Sequence, residues 1–423
     1  MGSSSMIDSD TTVIPAQAGI QGQKRRLSLP WVPAFAGMTL WVAAALVESA
    51  IAQDAPRDIR IGYLSLENDA RYDEKKVYLG LVLEPLRPPV AAAEMGVSDL
   101  QMLSDATGFK PALDEQKAVD VAGLVAKVQA MSAAGERFII VDLPADILDQ
   151  VAAATRDRKV TLINTTAHED FLRDRCYPNL LHTAASDRQL ADALVQLLRV
   201  RNWTNVLVLY GQNPRDKVLA DTFVASAQRL RLNITDTRQV TQSTDSESTE
   251  QNNTLLVTGG VDYDVIYIAD TQGDYARYLP YATQLPRPVI GSTGLEASEW
   301  NWTWERDGAS QVISRFDKLT GDLHMNGADW SAWIAAKAVV TAYGKSRKTD
   351  PDEIDAYLRG PRFGVDGSKG VLMSFRPWDG QMRMPITLST SDAVIEAAPL
   401  DGFEHQVTTL DTLGTDQPEF QCK

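Results

Sequence analysis

The sequence is poor in the residue types that build most metal sites and nucleophilic active sites. Its 423 residues include two cysteines and four histidines. The histidines are isolated from one another along the chain, at His168, His182, His324 and His405. His168 and Glu169 begin the pattern of a zinc protease, but the second histidine of that pattern does not follow. The spacing therefore gives no support to a histidine-based metal site.

Nucleotide-binding motifs and nucleophile elbows are absent as well. No Gly-x-Gly-x-x-Gly motif or phosphate-binding loop follows any apolar run that predicts a strand. No Gly-x-Ser-x-Gly elbow occurs either. An acid–base site assembled from distant residues would leave no such motif, so catalysis by dispersed residues stays open as the alternative. We predict a protein that is not an enzyme and requires no cofactor.

Positive charge is in short supply. The chain has 41 lysines and arginines against 56 aspartates and glutamates, which gives a formal net charge of −15 at pH 7. Because such a protein repels nucleic acid and anionic lipid, neither is expected as a partner. The excess of acid is compatible with a cationic ligand, and its alternative explanation is solubility alone.

The apolar run near the N-terminus is too short to hold the chain in a membrane. It follows the basic residues Lys24 to Arg26 and ends at Trp41 to Val47. Ala50-Ile51-Ala52 then supplies the small-x-small pattern of a signal peptidase site. We predict that residues 1–52 are a cleaved secretory signal with an upstream segment and that the mature protein is periplasmic.

The two cysteines, Cys176 and Cys422, are an even and low count for an exported chain. This favours a single disulfide, with two unpaired thiols as the alternative. The bond would close a long loop and stabilise the fold by about 3–5 kcal/mol in the chain-entropy description.

From residue 57 onward, short apolar runs alternate with segments of helical periodicity. The predicted strands of the first half are 59–64, 138–141 and 160–163, and its predicted helices are 121–131 and 145–158. After residue 185 come strands 206–210, 234–240, 265–269 and 289–291 and helices 190–200, 216–230 and 275–283. Repeated strand–helix–strand units form parallel sheets with right-handed crossovers. We therefore predict an α/β fold of two Rossmann-like lobes.

The last third of the chain has a different texture. Residues 328–343 predict a strong helix, and Asp350-Pro351 predicts the start of another, with Asp350 as its N-cap. Asp379-Gly380 predicts a two-residue hairpin turn. Residues 241–253 show no apolar period and predict a solvated loop.

Two exported Rossmann-like halves with a return segment resemble the type I periplasmic binding proteins, which include the branched-chain amino acid receptors of ABC transporters. Tryptophan-rich motifs in the last third resemble a subfamily associated with PQQ-dependent alcohol dehydrogenase systems. These motifs are Trp300–Arg306, Arg315-Phe316, Asp329–Trp333, Lys369-Gly370, Ser374–Gln381 and Leu410–Gly414. The resemblance implies an N-terminal lobe of residues 57–184 plus 325–400, a C-terminal lobe of 185–300, a connecting segment of 301–324 and a tail of 401–423.

The same resemblance implies a monomer with a ligand cleft and a hinge, a small solute as ligand and a membrane permease as partner. In the amino acid receptors, hydroxyl groups after two strands of the N-terminal lobe hold the ligand carboxylate, and an acid of the C-terminal lobe holds its ammonium. Asp142 stands in place of the first hydroxyl, whereas Asn164, Thr165 and Thr166 preserve the second hydroxyl-rich turn. Thr293 and Glu296 lie near a displaced acidic position, which argues against a free amino acid.

Carboxylates follow most of the predicted strands. They are Glu67, Asp69, Asp73 and Glu74, then Asp142 and Asp146, and in the second half Asp270, Asp274, Glu296 and Glu299. Open α/β sheets bind ligands at the carboxyl ends of their strands, and clustered carboxylates repel unless a cation lies between them. Hard cations take six or more oxygen ligands, so Glu67, Asp69, Asp142, Asp270 and Glu296 are candidate metal ligands. With the quinoprotein resemblance, this predicts a lanthanide or calcium-like ion, free or chelated, as the captured solute.

Other interpretations remain open at this point. The acids can instead cap helices and face water, as first-turn charges such as Asp73 and Asp146 do. Trp300, Trp302 and Trp304 would share one face of an extended segment, so Trp300 is a candidate for stacking on a flat organic solute. Packing of the connecting segment is its alternative role. The alternative functions are a receptor for an amino-acid-like or alcohol-derived solute or for PQQ, and a sensor subunit outside transport.

Overall fold

The computed structural model describes residues 57–73, 86–241, 253–273, 275–321 and 323–422. The predicted secretory segment, almost all of the predicted loop 241–253, and the acids Glu74 and Asp274 lie outside these residues. Within the described ranges, no helix combines the length and the apolar character needed to cross a membrane.

The first sheet is parallel, with five strands in the order β2-β1-β3-β4-β5. They are β1 (Arg57–Leu66), β2 (Phe109–Ala118), β3 (Phe138–Asp142), β4 (Thr161–Asn164) and β5 (Leu180–His182). β3 and β4 are buried along their whole length, as continuous apolar runs predict for strands covered on both faces. The apolar pattern does not predict β2, because this edge strand exposes polar side chains.

The second sheet is also parallel, with four strands in the order β7-β6-β8-β9. They are β6 (Asn205–Tyr210), β7 (Asn233–Gln239), β8 (Val265–Ala269) and β9 (Val289–Gly291). With two such sheets and the helices between their strands, the predicted α/β class and two-lobed plan are confirmed.

Helices connect and cover the strands. In the first half they are α1 (Val90–Ser98), α2 (Gln101–Thr107), α3 (Val121–Ala133), α4 (Ala145–Thr155) and α5 (Phe171–Asp174). Next come α6 (Asp187–Arg201), α7 (Pro214–Arg229) and α8 (Thr254–Val257), then α9 (Ala309–Thr320), α10 (Gly327–Ser346) and α11 (Pro351–Leu358). Ser186 and Gln189 form a capping box that fixes where α6 begins.

The remaining strands are short and antiparallel. β10 (Glu296–Ser298), β14 (Ile386–Ser389) and β15 (Val394–Ala398) form one sheet, in the order β10-β14-β15. β11 (Val365–Asp366), β12 (Leu372–Phe375) and β13 (Met382–Arg383) form another. α10 packs on α1 and contacts β3, whereas β14 and β15 contact α6. The lobe limits inferred from the sequence stay a prediction, and β14 and β15 contact a helix from the other side of that division.

Two local predictions are wrong. Residues 276–281 form a 3₁₀ helix in place of the predicted α-helix 275–283, and Pro280, which has no N–H to donate, lies inside it. The predicted two-residue hairpin is a longer connection, because Phe375 pairs with Met382 and residues 376–381 separate the strands. Within it, the Asp379 carboxylate accepts a hydrogen bond from the Gln381 N–H at 3.0 Å.

The end of the chain agrees with the sequence patterns. α10 covers the predicted helix 328–343, and Asp350 caps α11 by accepting from the Asp352 N–H at 2.9 Å. Cys176 and Cys422 form the predicted disulfide, which joins residues separated by 246 positions. The bond therefore ties the C-terminal tail to the segment that follows α5.

Candidate functional site

The carboxyl edge of the first sheet carries a guanidinium group between two carboxylates. Arg71 follows β1, and its Nη2 donates to Asp69 Oδ2 at 2.6 Å and to Asp142 Oδ1 at 2.8 Å. The Arg71 Nε donates to both oxygens of Asp69, at 3.1 and 2.9 Å. Asp142 ends β3, the strand next to β1 in the sheet. Sheet topology thus brings together two of the predicted acids and a cation that neutralises part of their charge.

Three hydroxyl groups complete this cluster. Tyr72 donates to Asp142 Oδ1 at 2.7 Å, and Thr166 donates to the same oxygen at 3.1 Å. Tyr63 donates to the other oxygen of Asp142 at 3.3 Å. Burial and the Asp142 carboxylate raise the pKa of Tyr63 and that of Tyr72 well above the ordinary value, so both stay protonated donors. Arg71 also donates to the Thr166 hydroxyl at 2.9 Å.

The exposed and buried members of the cluster differ in charge. The Asp142 side chain is 0% exposed and that of Asp69 is 3% exposed, whereas that of Arg71 is 28% exposed. Tyr72 and Thr166 are half-buried. A solute at this edge would therefore meet the guanidinium and the two hydroxyl groups, with the carboxylates behind them.

Asn164 and Thr165, predicted to bind the solute, are buried and serve the backbone. Asn164 Oδ1 accepts from the N–H groups of Thr166 and Ala167, and its Nδ2 donates to the Ala167 carbonyl. The Thr165 hydroxyl donates to the Val141 carbonyl at 3.1 Å. Of the three residues in this turn, only Thr166 lies in the Arg71 cluster.

The carboxyl edge of the second sheet uses its acids differently. Asp270 follows β8 and accepts from the N–H groups of Gly273 at 3.0 Å and of Tyr275 and Ala276 at 2.8 Å. Asp216, in the first turn of α7, accepts from the Thr271 N–H at 2.7 Å. Both carboxylates are buried, so they hold loop backbone in place and present little charge to a solute.

The remaining predicted residues lie apart from these clusters. Glu67 and Glu296 are exposed, and Thr293 is half-buried. Asp73 is exposed, and Asp146 is an exposed charge in the first turn of α4, as its alternative role requires. Across the described ranges, no three His, Cys, Asp or Glu side chains are grouped so as to hold a metal ion. The five candidate metal ligands therefore do not form one site here.

Trp300, predicted to face the solute, lies in the core. It is 2% exposed and stacks on Trp330, with ring centroids 6.3 Å apart. Trp304 is also buried, whereas Trp302 is 39% exposed and stacks on His324. The segment is not an extended strand with one aromatic face, so the alternative role of packing applies to Trp300.

Two side-chain contacts connect the loop after β4 with the second half of the chain. Arg215, in the first turn of α7, forms a two-pronged pair with Asp187, and its Nε lies 3.6 Å from Glu169 Oε1. His168 Nδ1 lies 3.3 Å from Glu299 Oε1. Glu299 also accepts from the Ala185 N–H at 2.8 Å. This predicted cleft acid is therefore a buried contact beside the segment that connects β5 with α6.

The sequence-based prediction did not include Arg71 and Tyr72, because it considered the acids after the first strand and not the cation among them. The signal was present: a single arginine stands between Asp69 and Asp73, directly after a predicted strand. An arginine among carboxylates at the carboxyl end of a strand is a candidate partner for those carboxylates.

Comparison with known proteins agrees with this architecture. A family model described as periplasmic binding protein matches residues 112–393. No curated protein sequence matches the chain.

Solved structures of similar fold cover most of the chain at low sequence identity. A branched-chain amino acid ABC transporter ligand-binding protein from Burkholderia xenovorans has 13% identity and a TM-score of 0.63, covering 80% of this chain and 95% of that one. An ABC transporter substrate-binding protein from Desulfitobacterium hafniense in complex with Leu has 16% identity and a TM-score of 0.57, covering 81% and 100%. A solute-binding protein from Rhodopseudomonas palustris in complex with 3,4-dihydroxybenzoic acid has 12% identity and a TM-score of 0.54, covering 79% and 93%. At these identities the likeness establishes the fold.

Proposed function

This chain belongs to the periplasmic binding protein family, and we propose that it captures a small organic solute carrying a carboxylate and delivers it to the permease of an ABC transporter. The single observation that carries the choice of solute is the arrangement around Arg71. Within this cluster the guanidinium is the charge that reaches the surface, and its carboxylate partners are buried behind it. Guanidinium groups recognise carboxylates in proteins, and Arg71 Nη1 makes one described hydrogen bond, to Thr166, which leaves its second N–H group for a solute.

The polar side chains of this edge are held in place before a solute binds. Asp69 fixes Arg71 through the side chain and also accepts from its backbone N–H at 2.9 Å. Asp142 fixes Tyr72 and Thr166. A solute that binds here does not have to order these side chains, so less of the binding free energy is lost to conformational entropy.

The same arrangement disfavours a metal ion at this edge. Asp69 and Asp142 are the two predicted metal ligands that lie together, and Arg71 already occupies the space between them. A metal ion would have to displace a guanidinium that makes several charge-assisted hydrogen bonds. The sequence-based prediction is a lanthanide or calcium-like solute. The experiment below therefore tests metal ions beside the organic carboxylates.

The proposed role in transport draws on the neighbours of the same fold, which are binding proteins of ABC transporters and in two cases are complexes, one with Leu and one with 3,4-dihydroxybenzoic acid. Both of these ligands carry a carboxyl group. The tryptophan-rich motifs of the last third make acids derived from alcohols, and PQQ with its own carboxylates, the first solutes to try. We place the protein in a quinoprotein alcohol oxidation system on that resemblance.

Calorimetric titration of the purified mature protein tests the proposal. The ligands are PQQ, aliphatic and aromatic carboxylates, leucine, La³⁺ and Ca²⁺. We expect saturable binding of at least one carboxylate and no turnover of it. Arg71→Lys keeps the positive charge between Asp69 and Asp142 but loses the planar fork, so the affinity should fall about tenfold.

Arg158→Lys is the matched control, because Arg158 is exposed and its side chain makes no described contact. It should leave the affinity unchanged. Binding of metal ions alone would overturn the carboxylate proposal in favour of the metal prediction. Carboxylate binding that Arg71→Lys does not weaken would retain the function and move the site elsewhere. Loss of solute uptake on deletion of the gene would separate transport from the alternative role of a sensor subunit.

A further inference from the structure

A cavity of about 190 Å³ lies at the outer edge of the first sheet, beside the edge strand β5, whereas Arg71 follows β1. It is bounded by β5, by the segment around the Cys176 disulfide and by the connection 376–380. Its polar lining comprises Arg173, His182, Arg359, Arg376, Trp378 and Asp379. Three guanidinium groups and one carboxylate thus face the same small volume, in a protein whose overall charge is negative.

Arg173 is a buried charge with no carboxylate partner in direct contact. It is 5% exposed, and no acidic oxygen of the described residues forms an ion pair with it. Its hydrogen bonds go to neutral oxygens: Gln381 Oε1 and the carbonyls of Ala167, Glu169 and Ala184. These use four of its five N–H groups, which leaves one without an acceptor among the described residues. Asp170, Asp187, Asp379 and Glu169 act on Arg173 electrostatically without pairing with it, so the unused N–H group is the feature of Arg173 that favours an anion in this cavity.

His182 adds a hydrogen-bond donor to the same cavity. The two backbone bonds to Asn164 Oδ1 fix the orientation of that amide, so its Nδ2 is the group 3.0 Å from His182 Nδ1. His182 Nδ1 therefore accepts. Burial and the charge of Arg173 lower the pKa of His182 well below its ordinary value, which keeps the ring neutral. A neutral ring that accepts on Nδ1 carries its proton on Nε2, and no described residue accepts from that atom.

The other two arginines contribute charge from the walls. Arg376 is 2% exposed and donates from Nε to Asp411 at 2.8 Å, while its Nη1 lies 3.7 Å from Asp379. Arg359 pairs with Asp355 and has a side chain 28% exposed, so it lies at the entrance side of the lining. These two are paired with carboxylates, whereas the described hydrogen bonds of Arg173 go to neutral oxygens.

We propose that this cavity is a second ligand site, distinct from the Arg71 edge, that binds a small oxyanion such as sulfate, phosphate or a short carboxylate against Arg173 and His182. The anion accepts from the unused N–H groups of the two side chains. Because Arg173 joins the loop after β4 to the segment after β5 and to Gln381, an occupied site stabilises the junction of these elements.

The experiment measures thermal stability of the mature protein in sodium sulfate, phosphate, acetate and chloride at matched ionic strength. We expect a saturable rise of Tm with an oxyanion and a smaller rise with chloride, and titration calorimetry gives the dissociation constant. Arg173→Gln should weaken oxyanion binding at least about tenfold, because it removes the charge and the free N–H group. Arg359→Gln, on the partly exposed wall, should weaken it less and keeps the test available if the Arg173 variant does not fold.

Two controls separate this site from other effects. Arg158→Gln removes one exposed arginine elsewhere and should change nothing. Arg71→Lys should leave the oxyanion response intact, so failure here and failure of the proposed solute site are distinguishable. A crystal soaked in selenate should show anomalous density beside Arg173 and His182. A Tm that rises without saturation and equally in all variants, or a cavity holding water alone in selenate, would overturn the proposal.

Discussion

The two carboxyl edges of the molecule use buried aspartates for different purposes. At the first edge, Asp69 and Asp142 hold the side chains of Arg71 and its neighbours, so a solute meets a cation beside two hydroxyl groups that donate to Asp142. At the second edge, Asp216 and Asp270 accept from backbone N–H groups of the loops that follow β6 and β8. Aspartates at corresponding places thus position a cation at the first edge and hold loop backbone at the second.

This difference bears on how acidic loops are interpreted. A carboxylate after a strand indicates a cationic ligand only if the folded chain leaves it without a donor of its own. In this molecule Arg71, two residues along the chain, donates to Asp69. The loop that follows β8 supplies backbone N–H donors to Asp270. The first edge is therefore suited to recognise a charged solute, whereas the aspartates of the second edge fix the conformation of its loops.

Removing the cation of the first edge should have the largest effect on stability. Arg71→Gln leaves two buried carboxylates facing each other, and we expect the free energy of unfolding at pH 7 to fall by about 2–3 kcal/mol. Denaturant unfolding measures this. Combining it with Asp142→Asn removes one of the two charges and should recover part of the loss. If Arg71→Gln alone were as stable as the wild type, the proposed difference between the two edges would be wrong.

Removing the brace of the second edge should cost somewhat less. Asp270→Ala leaves the N–H groups of Gly273, Tyr275 and Ala276 without their acceptor, and we expect a loss of about 2 kcal/mol. The same variant should retain most of the solute affinity, in contrast to Arg71→Lys. The comparison would be reversed if Asp270→Ala abolished binding while stability stayed unchanged.

Lys369 is a buried amine that makes no described ion pair with a carboxylate, in contrast to Arg71. Lys369 donates to the Pro385 carbonyl at 2.8 Å and lies over the Trp330 ring, and burial lowers its pKa to about 7. Because the unfolded chain binds this proton up to much higher pH, stability should rise by about 1 kcal/mol from pH 7 to pH 8. Lys369→Met should flatten that rise, as measured by unfolding at several pH values. An equal rise in the variant would contradict the assignment.

A buried acid without a cation or a backbone donor gives the smallest expected effect. Glu136 is 3% exposed, its Oε2 has no hydrogen-bond partner, and burial with the nearby Asp114 raises its pKa to about 7. The folded protein holds this proton where the unfolded chain has lost it. Stability should therefore decline by less than about 1 kcal/mol per pH unit from about pH 5 to pH 7. Glu136→Gln should remove this decline. A variant with the same dependence of stability on pH as the wild type would contradict the role given to Glu136.

Much of the fold follows from patterns that the chain states locally. The apolar runs of β3, β6 and β8 are buried on both faces, and the caps at Ser186 and Asp350 mark where helices begin. The parallel sheets and the disulfide follow from repetition and from an even cysteine count. β2 could not be found in this way, since an edge strand carries polar residues that pair through the backbone.

The site was less predictable, because its chemistry depends on which side chains the fold brings together. The position of Asp142 beside Asp69 follows from the pairing of β1 with β3. That Arg71 lies between them, and that Trp300 packs in the core, depends on loop conformations that leave no periodic signal. The five predicted metal ligands come from the edges of two different sheets, and the hydrogen-bond donors that they meet cannot be identified from the sequence.

The most direct test of the central claim is a competition measurement at the Arg71 edge. The carboxylate that binds best in calorimetry is titrated into wild type, Arg71→Lys and Arg158→Lys in the presence and absence of La³⁺. The account predicts carboxylate binding at the Arg71 edge that is about tenfold weaker in Arg71→Lys alone and that the metal ion does not displace. Binding of La³⁺ that excludes the carboxylate, with Arg71→Lys equal to wild type, would contradict it.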